Sequence, residues 1–90
     1  MELTDRPAQN TDIAMRIIDG TAYLMDPSAS DLHALSEVGT RIYELVDGER
    51  TVDGIVDQLF EEYDVEREVL EQDTLAFLAE LATKGLVVTR

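Results

Sequence analysis

The spacing of apolar residues changes once along this chain, from short β-type runs before residue 36 to helical periodicity after it. Residues 13–36, "IAMRIIDGTAYLMDPSASDLHALS", hold two bursts rich in Ile, Met, Thr, Tyr and Leu on either side of Asp19-Gly20. An Asp-Gly pair readily takes the positive φ values of a two-residue hairpin turn. Ala14–Ile18 and Thr21–Met25 are therefore expected as antiparallel strands. Asp26-Pro27-Ser28 is a second turn signal. Asp31–Leu35 after it is read as a third strand at a sheet edge.

From Ser36 onward the period is helical. Ser36 is a good N-cap, and Glu37 suits the positive end of the helix that follows. Val38, Ile42, Leu45 and Val46 recur at helical spacing, and Gly48 offers the left-handed conformation that closes a helix. Thr51 caps a second helix with Val52, Ile55, Val56, Leu59 and Phe60 on its apolar face. A break near Tyr63-Asp64-Val65 precedes the longest helix, Glu66 to Lys84, which Gly85 stops; residues 86–89, "LVVT", form a last strand or packed tail. Leu70, Thr74, Phe77, Leu78 and Leu81 mark the core stripe of that helix, while Leu75, Ala79 and Ala82 widen it on an adjoining flank. The width has two readings: a central helix packed on both others, or a flank lining a groove open to a partner. Residues 1–12, "MELTDRPAQNTD", are polar and show no periodicity. They read as a loose, flexible arm, which leaves one folded domain at 13–90. The layout is α+β: a three-stranded antiparallel sheet followed by three helices, winged helix-turn-helix-like, with the sheet buried on the helices.

Charge then weighs against one function class. Twenty acidic residues face seven basic ones, a formal net charge of -13. Nucleic-acid affinity rests largely on Lys and Arg neutralising phosphates, and Arg6, Arg16, Arg41, Arg50, Arg67, Lys84 and Arg90 form no stripe. DNA reading is disfavoured, whereas a cationic protein or peptide is electrostatically easier to bind. The chain has no cysteine for disulfides or thiolate zinc sites. No apolar run approaches the roughly 20 residues that span a bilayer, and the start lacks a secretory signal. The expectation is a soluble, cytoplasmic protein with no membrane partner.

Catalytic chemistry is hard to assemble. The only histidine, His33, lies in the expected third strand, where a part-buried structural role outweighs a general base or metal ligand with no second His or Cys to join it. The glycines are separate turn, spacing or cap residues, and Ser28, Ser30 and Ser36 have no base in fixed relation. Neither an enzyme nor a cofactor or metal site is expected. Glu61, Glu62, Asp64, Glu66, Glu68, Glu71 and Asp73 crowd one end of the second helix and the start of the third. They read as a solvated face suited to a helix N-terminus, with a docking patch for a basic partner as the alternative.

Two stretches, "DGTAYLMDPSASDLHALSEVGTRIYELVDGERTVDGIV" and "DTLAFLAELATKGLV", together resemble the PqqD-like family. Leu35, Gly39, Ile42, Asp47, Gly48, Thr51, Asp73, Phe77, Leu81, Gly85 and Leu86 sit where that pattern wants them, and the likeness covers roughly residues 13 to 88. The resemblance implies a non-catalytic, chaperone-like recognition element for ribosomally made precursor peptides. Such a domain captures the leader segment and presents its core to a modifying enzyme, often a radical SAM protein. In the family the leader adds as an extra strand to the third strand, beside the third helix. Unpaired N–H and C=O groups on an edge strand suit that mode. The expected peptide-binding residues are Asp31, Leu32, His33, Ala34 and Leu35 on the strand, with Leu75, Leu78, Ala79 and Ala82 on the helix; Val69, Asp73 and Ala76 line its opposite side. The family often carries aromatic residues in the third strand, where this chain has "DLHAL". Two alternatives stand beside capture. A winged-helix DNA-binding regulator needs a basic recognition helix, which neither candidate helix supplies. A structural accessory domain could form a homodimer through its open edge strand.

Overall fold

The computed structural model describes residues 1–27 and 31–89. Five strands and three helices follow in the order β1 (Pro7–Gln9), β2 (Ala14–Ile18), β3 (Thr21–Asp26), β4 (Asp31–Ala34), α1 (Glu37–Leu45), α2 (Val52–Glu62), α3 (Arg67–Thr83) and β5 (Val87–Thr89). β2, β3 and β4 form an antiparallel meander with β3 in the centre. Ile18 pairs with Thr21 across the hairpin, and Asp19 and Gly20 take φ of 52° and 80°. The two-residue turn thus forms as the Asp-Gly pair dictates. The second expected turn, Asp26-Pro27-Ser28, runs into residues 28–30, which lie outside the described residues together with Ser28 and Ser30 themselves.

The helices begin and end close to their sequence signals. Ser36 Oγ accepts from the Gly39 N–H, and Thr51 Oγ1 from the Gly54 N–H, each at 3.1 Å. Gly85 closes α3 with φ of 74°, whereas α1 ends earlier than expected, at Leu45 with Val46 as its cap, and Gly48, at φ 81°, donates its N–H to the Pro7 carbonyl instead. Glu66 and Lys84 are the caps of α3 and not part of it. The core gathers Leu24 from the sheet, Ile42, Tyr43 and Leu45 from α1, Ile55, Val56 and Leu59 from α2, Leu78 and Leu81 from α3, and Leu86. Val38 and Phe60, expected on apolar faces, are exposed. Thr40, which the periodicity did not single out, is buried, and its hydroxyl accepts from the Ala22 N–H at 2.9 Å. That bond supplies a partner to β3 just beyond the end of β4, where a ladder would otherwise stop with a buried donor.

The N-terminal stretch carries structure that its sequence did not announce. β1 pairs antiparallel with β5, Ala8 opposite Val88, and Pro7 is fully buried. The carbonyls of Asp5 and Leu3 accept from the Val52 and Asp53 N–H groups, satisfying two free donors at the start of α2. Residues 7–9, placed in a loose arm by their polarity, thus form a strand, because backbone bonding needs no apolar pattern. The chain's own N-terminal segment is committed to β5 and α2 and does not cover β4. Among the described residues, no helix is long and apolar enough to cross a membrane.

Candidate functional site

The β4 register determines which backbone groups face outward. Leu35 N–H donates to the Ala22 carbonyl at 2.9 Å, and Ala34 lies opposite Tyr23, His33 opposite Leu24, and Leu32 opposite Met25. In an antiparallel ladder hydrogen-bonded and non-bonded pairs alternate. Leu35, His33 and Asp31 therefore point their backbone groups at β3. The N–H and C=O of Leu32 and Ala34 point away from it, along the open edge.

Side chains alternate in the same way. Leu24 is buried against the helices, so half-buried His33 beside it is the β4 side chain on the helix side. Leu32 and Ala34 share the outer face with Met25 and Tyr23.

A cleft of about 340 Å³ runs along this edge, lined by Leu32 through Ser36 on one side and Phe77, Glu80, Leu81 and Lys84 on the other. Leu32, His33, Ala34 and Leu35 are thus brought together as expected, while Asp31 sits exposed at the strand's start and outside the lining. The helical wall differs from expectation. Leu78 is fully buried in the core, Leu75 and Ala82 are half-buried, Ala79 is exposed, and none of the four lines the cleft. The wall is the flank at positions 77, 80, 81 and 84, which continues the Val69–Asp73–Ala76 side of α3. Burial of Leu70, Thr74 and Leu78 orients α3, and the neighbouring flank one residue earlier turns to β4.

Phe77 is held from behind by α1. A Cβ placed on Gly39 would lie 3.0 Å from Phe77 Cζ and 3.1 Å from its Cε1. A side chain on Gly39 would crowd the Phe77 ring, which lines the cleft. The two charged wall residues neutralise one another, Lys84 Nζ lying 3.1 Å from Glu80 Oε1. A wall whose two charges pair, with Phe77 and Leu81 between them and outward backbone groups facing it, suits an extended peptide.

The acidic residues gathered at the far end of α2 and the start of α3 are partly spent in ion pairs. Arg41 makes two 2.7 Å hydrogen bonds to the carboxylate of Glu62, and Gln58 donates to it as well. Together they lower the Glu62 carboxyl to about 2. Glu71 pairs with Arg67 at 3.4 Å, and Arg67 also reaches Asp53 and Asp57. No group of three or more His, Cys, Asp or Glu among the described residues is placed to hold a metal ion.

The sequence model of the family Coenzyme PQQ synthesis protein D (PqqD) matches residues 21–87. The chain belongs to the PqqD family. The match takes in β3, β4 and all three helices, so both walls of the cleft lie inside the PqqD region. The PqqA binding protein of Gluconobacter oxydans (strain 621H) is 44% identical over 48 residues, 53% of this chain and 50% of that protein. The chain spans about half the length of the curated relatives it matches. Among solved structures, TbiB1 in complex with the TbiA(beta) leader peptide is similar with a TM-score of 0.82 and 30% identity, over 89% of this chain and 93% of that one. A lasso peptide synthetase B1 complexed with a leader peptide shares the PqqD fold at a TM-score of 0.76 and 22% identity, over 92% and 98%.

Proposed function

We propose that this PqqD-family chain is a non-catalytic carrier for a ribosomally made precursor peptide. It binds the leader segment as an added strand on β4, and delivers the peptide to a modifying enzyme. The observation that carries the reading is the pairing of an open edge with a cleft: the outward N–H and C=O groups of Leu32 and Ala34 run beside Phe77 and Leu81. Backbone bonds supply affinity that tolerates sequence variation, and alternate guest side chains enter the cleft. The leader-bound state of TbiB1 and the names of the PqqA binding relatives support the same role. The helix-side residues proposed for the guest are Phe77, Glu80, Leu81 and Lys84. A radical SAM protein is the enzyme class that the family implies.

Titration with the leader of the precursor encoded beside this chain tests the reading. Capture at about micromolar Kd corresponds to about -8 kcal/mol. No binding at a hundred times that concentration, with the fold intact, overturns it.

A further inference from the structure

The outer face of the same sheet holds a second apolar surface on the opposite side from the helices. Ala14, Ile18, Tyr23, Met25 and Leu32 surround Arg16 in an open depression of about 540 Å³. Three of the ten exposed large apolar side chains among the described residues, Ile18, Met25 and Leu32, stand on this face beside Tyr23 and Ala14. Soluble monomers seldom concentrate exposed apolar side chains in this way unless a partner covers them.

Three observations say what covers it. First, Arg6, Arg41, Arg50, Arg67 and Lys84 each have a hydrogen-bond or ion-pair partner, whereas Arg16 has none among the described residues. In a chain of net charge -13, an arginine set in an apolar surround with no acid in its lining offers itself to a foreign carboxylate. Second, three strands about 4.8 Å apart and five residues long cover only about 250 Å². A stable interface of any kind needs about 800 Å² per partner, so this face alone suits a transient contact that a bound leader enlarges, and not an obligate dimer. A second copy would also bring Arg16 toward Arg16, with no acid on this face to separate them. Third, the face is continuous with the peptide-binding edge through Leu32, which lines both depressions. A strand added to β4 would turn every second side chain onto this face and widen it.

We infer that the outer face of β2–β3–β4 docks the enzyme that modifies the captured peptide, through an apolar patch carrying a carboxylate that meets Arg16, and that the bound leader completes this face. The identity of the partner rests on the capture reading; the docking surface rests on the sheet itself.

The test uses the full chain, the leader without its core segment, and the modifying enzyme encoded with the precursor. Arg16→Glu and Met25→Ser should each weaken enzyme binding at least tenfold and leave leader affinity within twofold, with unchanged circular dichroism. Adding leader should tighten wild-type enzyme binding severalfold. Three results would overturn the inference. One is enzyme binding that is absent or indifferent to both substitutions. Another is equal loss of leader binding, which would assign the face to the peptide. The third is a wild-type dimer in sedimentation velocity that Arg16→Glu dissolves. If the wild-type chain binds no leader, the capture reading falls separately, and enzyme binding without leader still decides the docking face.

Discussion

The central sheet has two open edges, and they are built differently. β4 lies beside α3, which gives its outward backbone groups a wall of Phe77, Glu80, Leu81 and Lys84. β2 has no helix beside it, and all five of its residues are exposed. Because β3 spends Ala22, Leu24 and Asp26 on β4, its Thr21, Tyr23 and Met25 serve β2, and the outward N–H groups of β2 are those of Met15 and Ile17. Hydrogen-bonding capacity is therefore equal at the two edges. What separates them is the wall: an unpaired strand is a general liability, and only a strand with a shaped cleft beside it can choose its guest.

The largest expected effect removes the anchor that both edges share. Leu24→Ala empties a fully buried position between the sheet and the helices and should cost about 3 kcal/mol in chemical denaturation. Met25→Ala on the exposed side of the same strand should cost under about 0.5 kcal/mol.

A matched pair of prolines separates the edges themselves. Ala34→Pro deletes an outward N–H of β4 and should weaken leader binding about tenfold, about 1.4 kcal/mol. Ile17→Pro deletes the corresponding donor of β2 and should leave the affinity unchanged. Equal losses from both would show that the wall does not select the edge.

Gly39→Ala probes the wall without touching the strand. Helix propensity favours the alanine by about 1 kcal/mol, while its Cβ crowds the Phe77 ring in the cleft wall. Thermal stability should move by less than about 1 kcal/mol in either direction, and leader affinity should fall about threefold. Loss of affinity without loss of stability identifies Phe77 as part of the surface that meets the guest.

The smallest effect lies remote from both edges. Glu62 is held at about 2 against an ordinary value of 4.5 by the Arg41 guanidinium and then by Gln58. A depressed carboxyl contributes stability above its unfolded value, and the contribution is lost as pH falls from 4.5 toward 2. Arg41→Ala should lower stability at neutral pH by under about 1 kcal/mol, the ordinary worth of a largely solvated pair. It should also flatten the acid limb in that window, with leader affinity unaltered.

The meander and the helices were legible because their signals are local: Asp19-Gly20 for the turn, Ser36 and Thr51 for the caps, Gly85 for the end of α3. β1 and β5 were harder. Three-residue strands carry too little alternation to show a period, and Pro7 in a polar run gives no sign that it will be buried. The choice of α3 flank was also hidden. Apolar or small residues continue around the helix from Phe77 through Leu78 to Leu75, Ala79 and Ala82, so spacing alone marks no single seam. Gly39 was visible as a motif residue; the ring it accommodates, Phe77, required the packing of α1 on α3. Thr40 gave no signal, since a threonine inside a helix is ordinarily a surface residue.

Amide hydrogen exchange of the isotopically labelled chain, with and without the leader peptide, tests the account most directly. The Leu32 and Ala34 amides should slow markedly on binding while those of Met15 and Ile17 keep their free rates. Protection at Met15 and Ile17 instead, or none at either edge in a chain shown to be saturated with leader, would contradict it.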